Sequence, residues 1–165
     1  MDFLKVLEGT WPAQLIADST FGFPALEVLH LSGLTVVFGG MVLLDFRLLG
    51  VRREVSVARL EHYVLPFVWC GFAIAAFSGG WFVLFEARTL ARDPAFLIKV
   101  VLLTLAGLNA LFMHKVAMGD VAKWDTGVAA PLLVRASAGV SLLLWLGILA
   151  CGRLIAYYYP PPLDF

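Results

Sequence analysis

The sequence predicts an all-α membrane protein: an integral four-helix up-down bundle preceded by a short N-terminal interfacial helix. Three observations carry that expectation. The first is composition. Of 165 residues, 61% are hydrophobic and 15% charged, and the mean hydropathy is +0.91. Soluble domains run at roughly 45–50% apolar and about 25% charged. A soluble domain of this size buries only roughly 70% of the surface its unfolded chain exposes, so lipid is the solvent that fits. The second is four apolar runs, each near the ~20 residues needed to cross a bilayer. The third is the shortness of the intervening loops, which favours antiparallel neighbours.

The chain divides into an interfacial segment over 1–20, a four-span domain over 21–159 and a tail over 160–165. Phe3, Leu4, Leu7 and Trp11 recur at helical spacing, which predicts a short helix lying in the interface with Trp11 at headgroup level. Asp2, Glu8 and Trp11–Pro12 break the pattern of a signal peptide. The first span runs over Pro24–Gly50, with proline well placed at a helix start. The second runs from about Arg59 to Phe85, with Pro66 early in it. Its Ser78–Gly79–Gly80 marks a kink or a close helix contact. The third begins after Asp93–Pro94, a helix-start signal, and reaches about Ala117. The fourth runs from about Val128 to Tyr157. Pro160–Pro161–Pro162 stops it, and Tyr157–Tyr158–Tyr159 anchors it at the interface. In the loop before it, Trp124 is expected at the interface and Asp125 as cap of the fourth span.

Glycine, alanine and serine recur along all four spans, where close backbone approach drives helix association in lipid. The two cysteines, Cys70 and Cys151, lie in apolar runs and are expected to be free and buried. An even number of spans puts both termini on one side, the termini side, and two loops on the other, the loop side. The loop side carries Arg47, Arg52, Arg53, Arg59, Lys115 and Lys123. The termini side carries Lys5, Arg88, Arg92 and Arg153, with Lys99 just inside the membrane, so the excess on the loop side is modest. By the positive-inside rule the loops face the cytoplasm and the termini face outward. The formal net charge is zero, which gives no basic footprint for nucleic acid.

Ionisable residues inside spans are costly and default to functional candidates. They fall into two groups. Near the termini side, Glu27 and His30 share a face of the first span, and Lys99 lies at similar depth in the third. These three form either a proton, ion or small-anion site or a structural ion pair that fixes register. Near the loop side lie Asp45, Arg47, His62, His114 and Arg135. Asp45–Phe46–Arg47 reads as a charge pair at a helix end, with Arg47 near the terminal carbonyls. His62 and His114 come to the same face and could ligate a b-type haem, with Arg135 on a propionate. The alternative is a pair of interfacial histidines, which the charged run Arg59–Leu60–Glu61–His62 favours. His30 cannot share an iron with His114. One sits about 9 Å and the other about 30 Å from the termini side along their helices. The sequence contains three histidines, one too few for two bis-histidine haems.

No Cys-x-x-Cys, His-x-x-x-His, P-loop or Ser–His–Asp set is present. The stretches LEVLHLSGLTVVFGGMVLLDFRLLGV, DPAFLIKVVLLTLAGLNALFMHK, VAKWD and SLLLWLGILACGRLIAYY resemble a bacterial family of four-span inner-membrane domains of unknown function. The resemblance runs from about Phe21 to Tyr158. It rests on His30, Asp45, Arg47, Phe96, Lys99, Gly152, Arg153, Ile155, Ala156 and Tyr157, and it does not include His62. It implies the fold and a bacterial inner-membrane location, and no activity. The expected function is a non-catalytic accessory or scaffold subunit of a larger membrane assembly, with lipid and other membrane subunits or copies of itself as partners. A haem electron carrier at His62 and His114 is the first alternative. A proton- or ion-coupled transport element at Glu27, His30 and Lys99 is the second.

Overall fold

The computed structural model of the chain describes residues 2–158. The elements, in order, are α1 (Asp2–Glu8), α2 (Trp11–Ala17), α3 (Gly22–Leu49), α4 (Val57–Phe85), α5 (Ala87–Leu90), α6 (Pro94–Phe112) and α7 (Leu132–Tyr158). A π turn over Met113–Ala117 and a 3-10 turn over Met118–Lys123 follow α6. The four long helices are apolar enough to cross a membrane, and no strand occurs among the described residues. The tail over 160–165, with its three prolines, and Tyr159 lie outside the described residues.

Local chemistry sets most of the helix ends. α3 closes on Gly50 at φ 109°. The Gly50 N–H donates to the Arg47 carbonyl and the Val51 N–H to the Phe46 carbonyl, the paired bonds of a Schellman stop that needs a left-handed residue. The Ser56 hydroxyl caps α4 by accepting from the Arg59 N–H at 3.1 Å. Asp93 caps α6 by accepting from Ala95 and Phe96, with Pro94 in the first position where no N–H is needed. The fourth span starts at Leu132, not Val128. Pro131 is the reason: its carbonyl accepts the first helical bond, from the Arg135 N–H, and its ring fixes the entry. At the other end of the chain, Gly9–Thr10 and Pro12 divide the expected single interfacial helix into α1 and α2.

α3 is the central helix. It packs along both α4 and α7, and α7 in turn packs along α6. α4 and α6 do not run together; they flank a cleft. The α3–α4 crossing is a backbone contact. A Cβ on Gly33 would lie 2.7 Å from the Gly71 carbonyl oxygen, and one on Gly71 would lie 2.9 Å from that of Gly33. Lipid gives no hydrophobic drive between helices, so such van der Waals contact supplies the attraction. α6 is fastened to α7 by a reciprocal pair. The Ser137 hydroxyl donates to the Asn109 amide oxygen at 2.7 Å, and the Asn109 amide donates to the Ser137 carbonyl at 3.2 Å.

Two apolar clusters fill the interior. Val37, Val68, Ala106, Trp145 and Ile148 occupy the middle of the bundle. Leu48, Val57, Trp124, Ala130, Val134 and Ala138 close the loop side. Trp124 is 4% exposed, so it is a core residue and not the expected interfacial anchor. The loop folds inward because its backbone is tied to the facing loop, as described below. Both cysteines are free; Cys151 is buried and Cys70 exposed. On the termini side, Glu8 of α1 accepts from the Arg88 backbone N–H and side chain at 2.9 and 2.6 Å, which docks α1 on α5.

Candidate functional site

The loop side is a structural knot. Arg47 is 3% exposed. Its guanidinium donates to three backbone carbonyls: Val55 at 2.5 Å, Arg53 at 3.1 Å and Asp125 at 2.6 Å. A planar fork of five donors suits such a role better than an ammonium. Asp125 returns the tie. Its carboxylate accepts from the Ser56 hydroxyl at 2.7 Å and from the Ala58 N–H at 3.0 Å, and the Gly127 N–H donates to the Arg53 carbonyl. Asp125 therefore caps α4 across the bundle, not the fourth span that follows it. The Ala58 N–H, followed by the Ser56 hydroxyl, holds the Asp125 carboxyl below its ordinary value.

Asp45 and Arg47 do not pair. Residues two apart on a helix point to different faces. Arg47 turns to the loops, while Asp45 is buried against α7 with Ser141 as its hydrogen-bonding neighbour. One Asp45 carboxylate oxygen and the Trp124 indole N–H have no partner among the described residues.

His62, His114 and Arg135 are all exposed. The His62 ring lies against Tyr63. His114 Nδ1 stands 3.9 Å from a Glu61 carboxylate oxygen, a contact that links the start of α4 to the π turn after α6. An axial haem pair needs two imidazoles turned inward around an apolar slot. Two exposed rings, one against a tyrosine and one facing a carboxylate, do not present that arrangement. Nor does any group of His, Cys, Asp and Glu among the described residues have the grouping of a metal site.

The termini side is different. His30 of α3 and Lys99 of α6 line one cleft of about 230 Å³, bounded by α3, α4 and α6, with Trp145 of α7 also in its wall. Glu27 is exposed on α3 and is not in the lining, so the expected triad reduces to a pair of basic side chains. His30 is held by α4. Its Nδ1 lies 3.0 Å from both the Ala75 carbonyl and the Ser78 hydroxyl. Ser78 is fully buried and donates to the Ile74 carbonyl at 2.7 Å. A carbonyl can only accept, so Nδ1 carries the proton toward Ala75. Nε2 is then the nitrogen left for other partners. Phe82 meets the ring edge-on, and Gly79 leaves room for it, since a Cβ there would come within 3.2 Å of Cε1.

Lys99 has no ion-pair partner among the described residues. Its ammonium lies near Gly152 of α7, where a Cβ would stand 3.6 Å from Nζ. Ala75, Ala76, Gly79 and Gly80 form the middle of the α4 wall of the cleft, between Phe72 and Val83. The sequence pointed to His30 and Lys99 because ionisable residues are rare in spans. It gave no sign that Ser78 and Ala75 orient the histidine or that Gly80 opens the cleft. The Ser78–Gly79–Gly80 stretch was the available signal. It reads here as a place where α4 admits another side chain, within a helix that runs unbroken to Phe85.

The chain matches no protein-family model, no curated protein and no solved structure.

Proposed function

We propose that this protein is a non-catalytic, multi-pass component of the bacterial inner membrane, an accessory or scaffold subunit of a larger membrane assembly. The observation that supports it is the packing of α6. This span has one long neighbour, α7, and buries only Ala95 and Ala106. Leu97, Val101, Leu105 and Leu108 form an exposed row along it, and lipid or a partner helix must cover such a row. The resemblance to four-span bacterial domains and the excess of basic residues on the loop side support the location, with both termini outside.

A photo-crosslinking residue at Leu105, with purification in mild detergent, tests the reading. The expected result is a discrete adduct with a second membrane protein or a second copy of this chain. Adducts with lipid alone, together with a monodisperse monomer at every detergent ratio, would overturn it.

A second reading, a proton, ion or small-anion site near the outer face, is favoured by the shared cleft of His30 and Lys99. Haem at His62 and His114 has no comparable geometric support. A Soret band in protein purified from haem-replete cells, lost in His114→Ala, is the result that would establish it.

A further inference from the structure

We infer that the His30–Lys99 cleft binds the anionic head of a single-chain amphiphile whose apolar chain runs inward along α4 and leaves for the bilayer between α4 and α6. This goes beyond an accessory role and does not depend on it.

The first support is the arrangement of polarity along the cleft. Its two ionisable side chains, His30 and Lys99, lie near the termini-side ends of α3 and α6. Val37, Phe72, Leu103 and Trp145 line it further in. The sites along α3 and α6 fix that order, since each residue adds 1.5 Å of rise. Lys99 lies about 7 Å past Pro94 and Leu103 about 6 Å deeper. The basic pair therefore sits in the termini-side half of the cleft, just inside Val83 and Phe96, and the lining toward the bilayer middle is wholly apolar. A single lipid chain in the outer leaflet has the same gradient.

The second support is the unanswered charge. An ammonium within a span is expensive unless paired, and no described carboxylate reaches Lys99. Nearby Glu27 stays outside the cleft. An anion from the membrane would supply the missing partner. His30 is held rigidly by Ala75 and Ser78 and keeps Nε2 for the same head group.

The third support is size and access. Enclosed pockets for whole small molecules measure roughly 300–1,000 Å³. At about 230 Å³ this cleft suits a head and the first part of a chain, with the remainder in lipid. α4 and α6 do not pack along each other, so nothing described closes that side. The α4 wall is alanine and glycine between Phe72 and Val83, and a Cβ at Gly80 would meet no atom within 4 Å. Space is thus kept open next to the basic pair.

The test uses the full chain in nanodiscs of zwitterionic phospholipid, with a bromine-labelled single-chain carboxylic acid as probe. Trp145 lines the cleft, so occupancy appears as saturable quenching of tryptophan fluorescence that disappears in Trp145→Phe. Lys99→Met should weaken the saturable binding at least tenfold, and Lys99→Arg should keep it within threefold. Gly80→Phe fills open space without touching the basic pair and should also weaken binding at least tenfold. An uncharged alcohol of the same chain length should bind at least tenfold more weakly than the acid. A matching single-chain phosphate ester separates the two head groups. Saturable binding of both extends the site to compact anions, and binding of the acid alone limits it to carboxylates. The inference is overturned if quenching rises linearly with probe, if the alcohol binds as well as the acid, or if Gly80→Phe has no effect.

Discussion

The two ends of this bundle handle charge in opposite ways. On the loop side, Arg47 and Asp125 are saturated by the protein. One guanidinium joins three carbonyls from two loops, and one carboxylate caps the helix opposite. On the termini side, Lys99 faces a cleft with no counter-charge of its own, and His30 is tied by one nitrogen while the other is free. The contrast separates two reasons for placing a charge in or near a membrane. A group whose bonds are all internal holds the fold. A group whose environment is prepared but incomplete is available to something else. Mutations should therefore damage stability at one end and leave it nearly unchanged at the other.

The largest effect is expected at Arg47. Arg47→Met removes the donor shared by the Val55, Arg53 and Asp125 carbonyls, and among the described residues only Arg53 keeps a second one, the Gly127 N–H. Hydrogen bonds to a charged group contribute about 1.5–3 kcal/mol each, and these three are only partly buried, so the loss should reach about 3–5 kcal/mol and be visible as a collapse of thermal stability in detergent. Loss under 1 kcal/mol would mean that the knot does not hold the loops. Arg47→Lys should recover only part, because one ammonium cannot span three divergent carbonyls.

Next comes the α3–α4 crossing. Gly33→Ala puts a methyl 2.7 Å from the Gly71 oxygen, backbone that cannot rotate away. Overpacking of this kind costs about 1–3 kcal/mol. Gly39→Ala is the control on the same helix, since a Cβ there meets nothing within 4 Å, and it should be neutral or slightly stabilising.

Asp125→Ala removes a helix cap, worth about 0.5–2 kcal/mol. It also predicts a pH dependence. The folded carboxyl sits below its ordinary value of 3.8. Its contribution is present above that value and is lost as pH falls through the lower, folded one. Unfolding measured between neutral pH and about pH 3 should show an acid-side loss that is smaller in Asp125→Asn. The carboxylate is near the surface, so salt should diminish the effect.

Smaller still is the Glu8–Arg88 tie. An ion pair with an exposed arginine contributes about 0–1 kcal/mol. Glu8→Gln should hardly change global unfolding, yet it should raise hydrogen exchange over α1. Least of all, Lys99→Met should leave stability within about 1 kcal/mol, since replacing an unpaired intramembrane charge by an apolar chain is neutral or favourable. A large destabilisation there would erase the distinction between the two ends.

How much of this was legible in the chain differs from residue to residue. Asp93–Pro94 announced the start of α6 because both halves of the signal are local: a side-chain acceptor and a residue needing no N–H. Asp125 carries the same chemistry, yet its target is Ala58, 67 residues away, and no spacing rule reaches that far. Trp124 fails for the same reason. An aromatic in a loop between spans reads as an interface anchor until the loop is seen folded against Leu48 and Val134. Asp45 and Arg47, two apart in sequence, were expected to pair. The helix rotation of about 100° per residue sends them apart.

The sequence by itself determined the solvent, the number of spans and the rarity of the ionisable residues within them, because burial in lipid imposes length and composition on each segment separately. Only the tertiary structure decided which of those residues are answered. That depends on how α3 is shared between α4 and α7, and on the gap this leaves beside α6. Packing across the bundle gave Arg47 three carbonyls and left Lys99 with none of the described carboxylates, a difference that the local sequence around either residue does not contain.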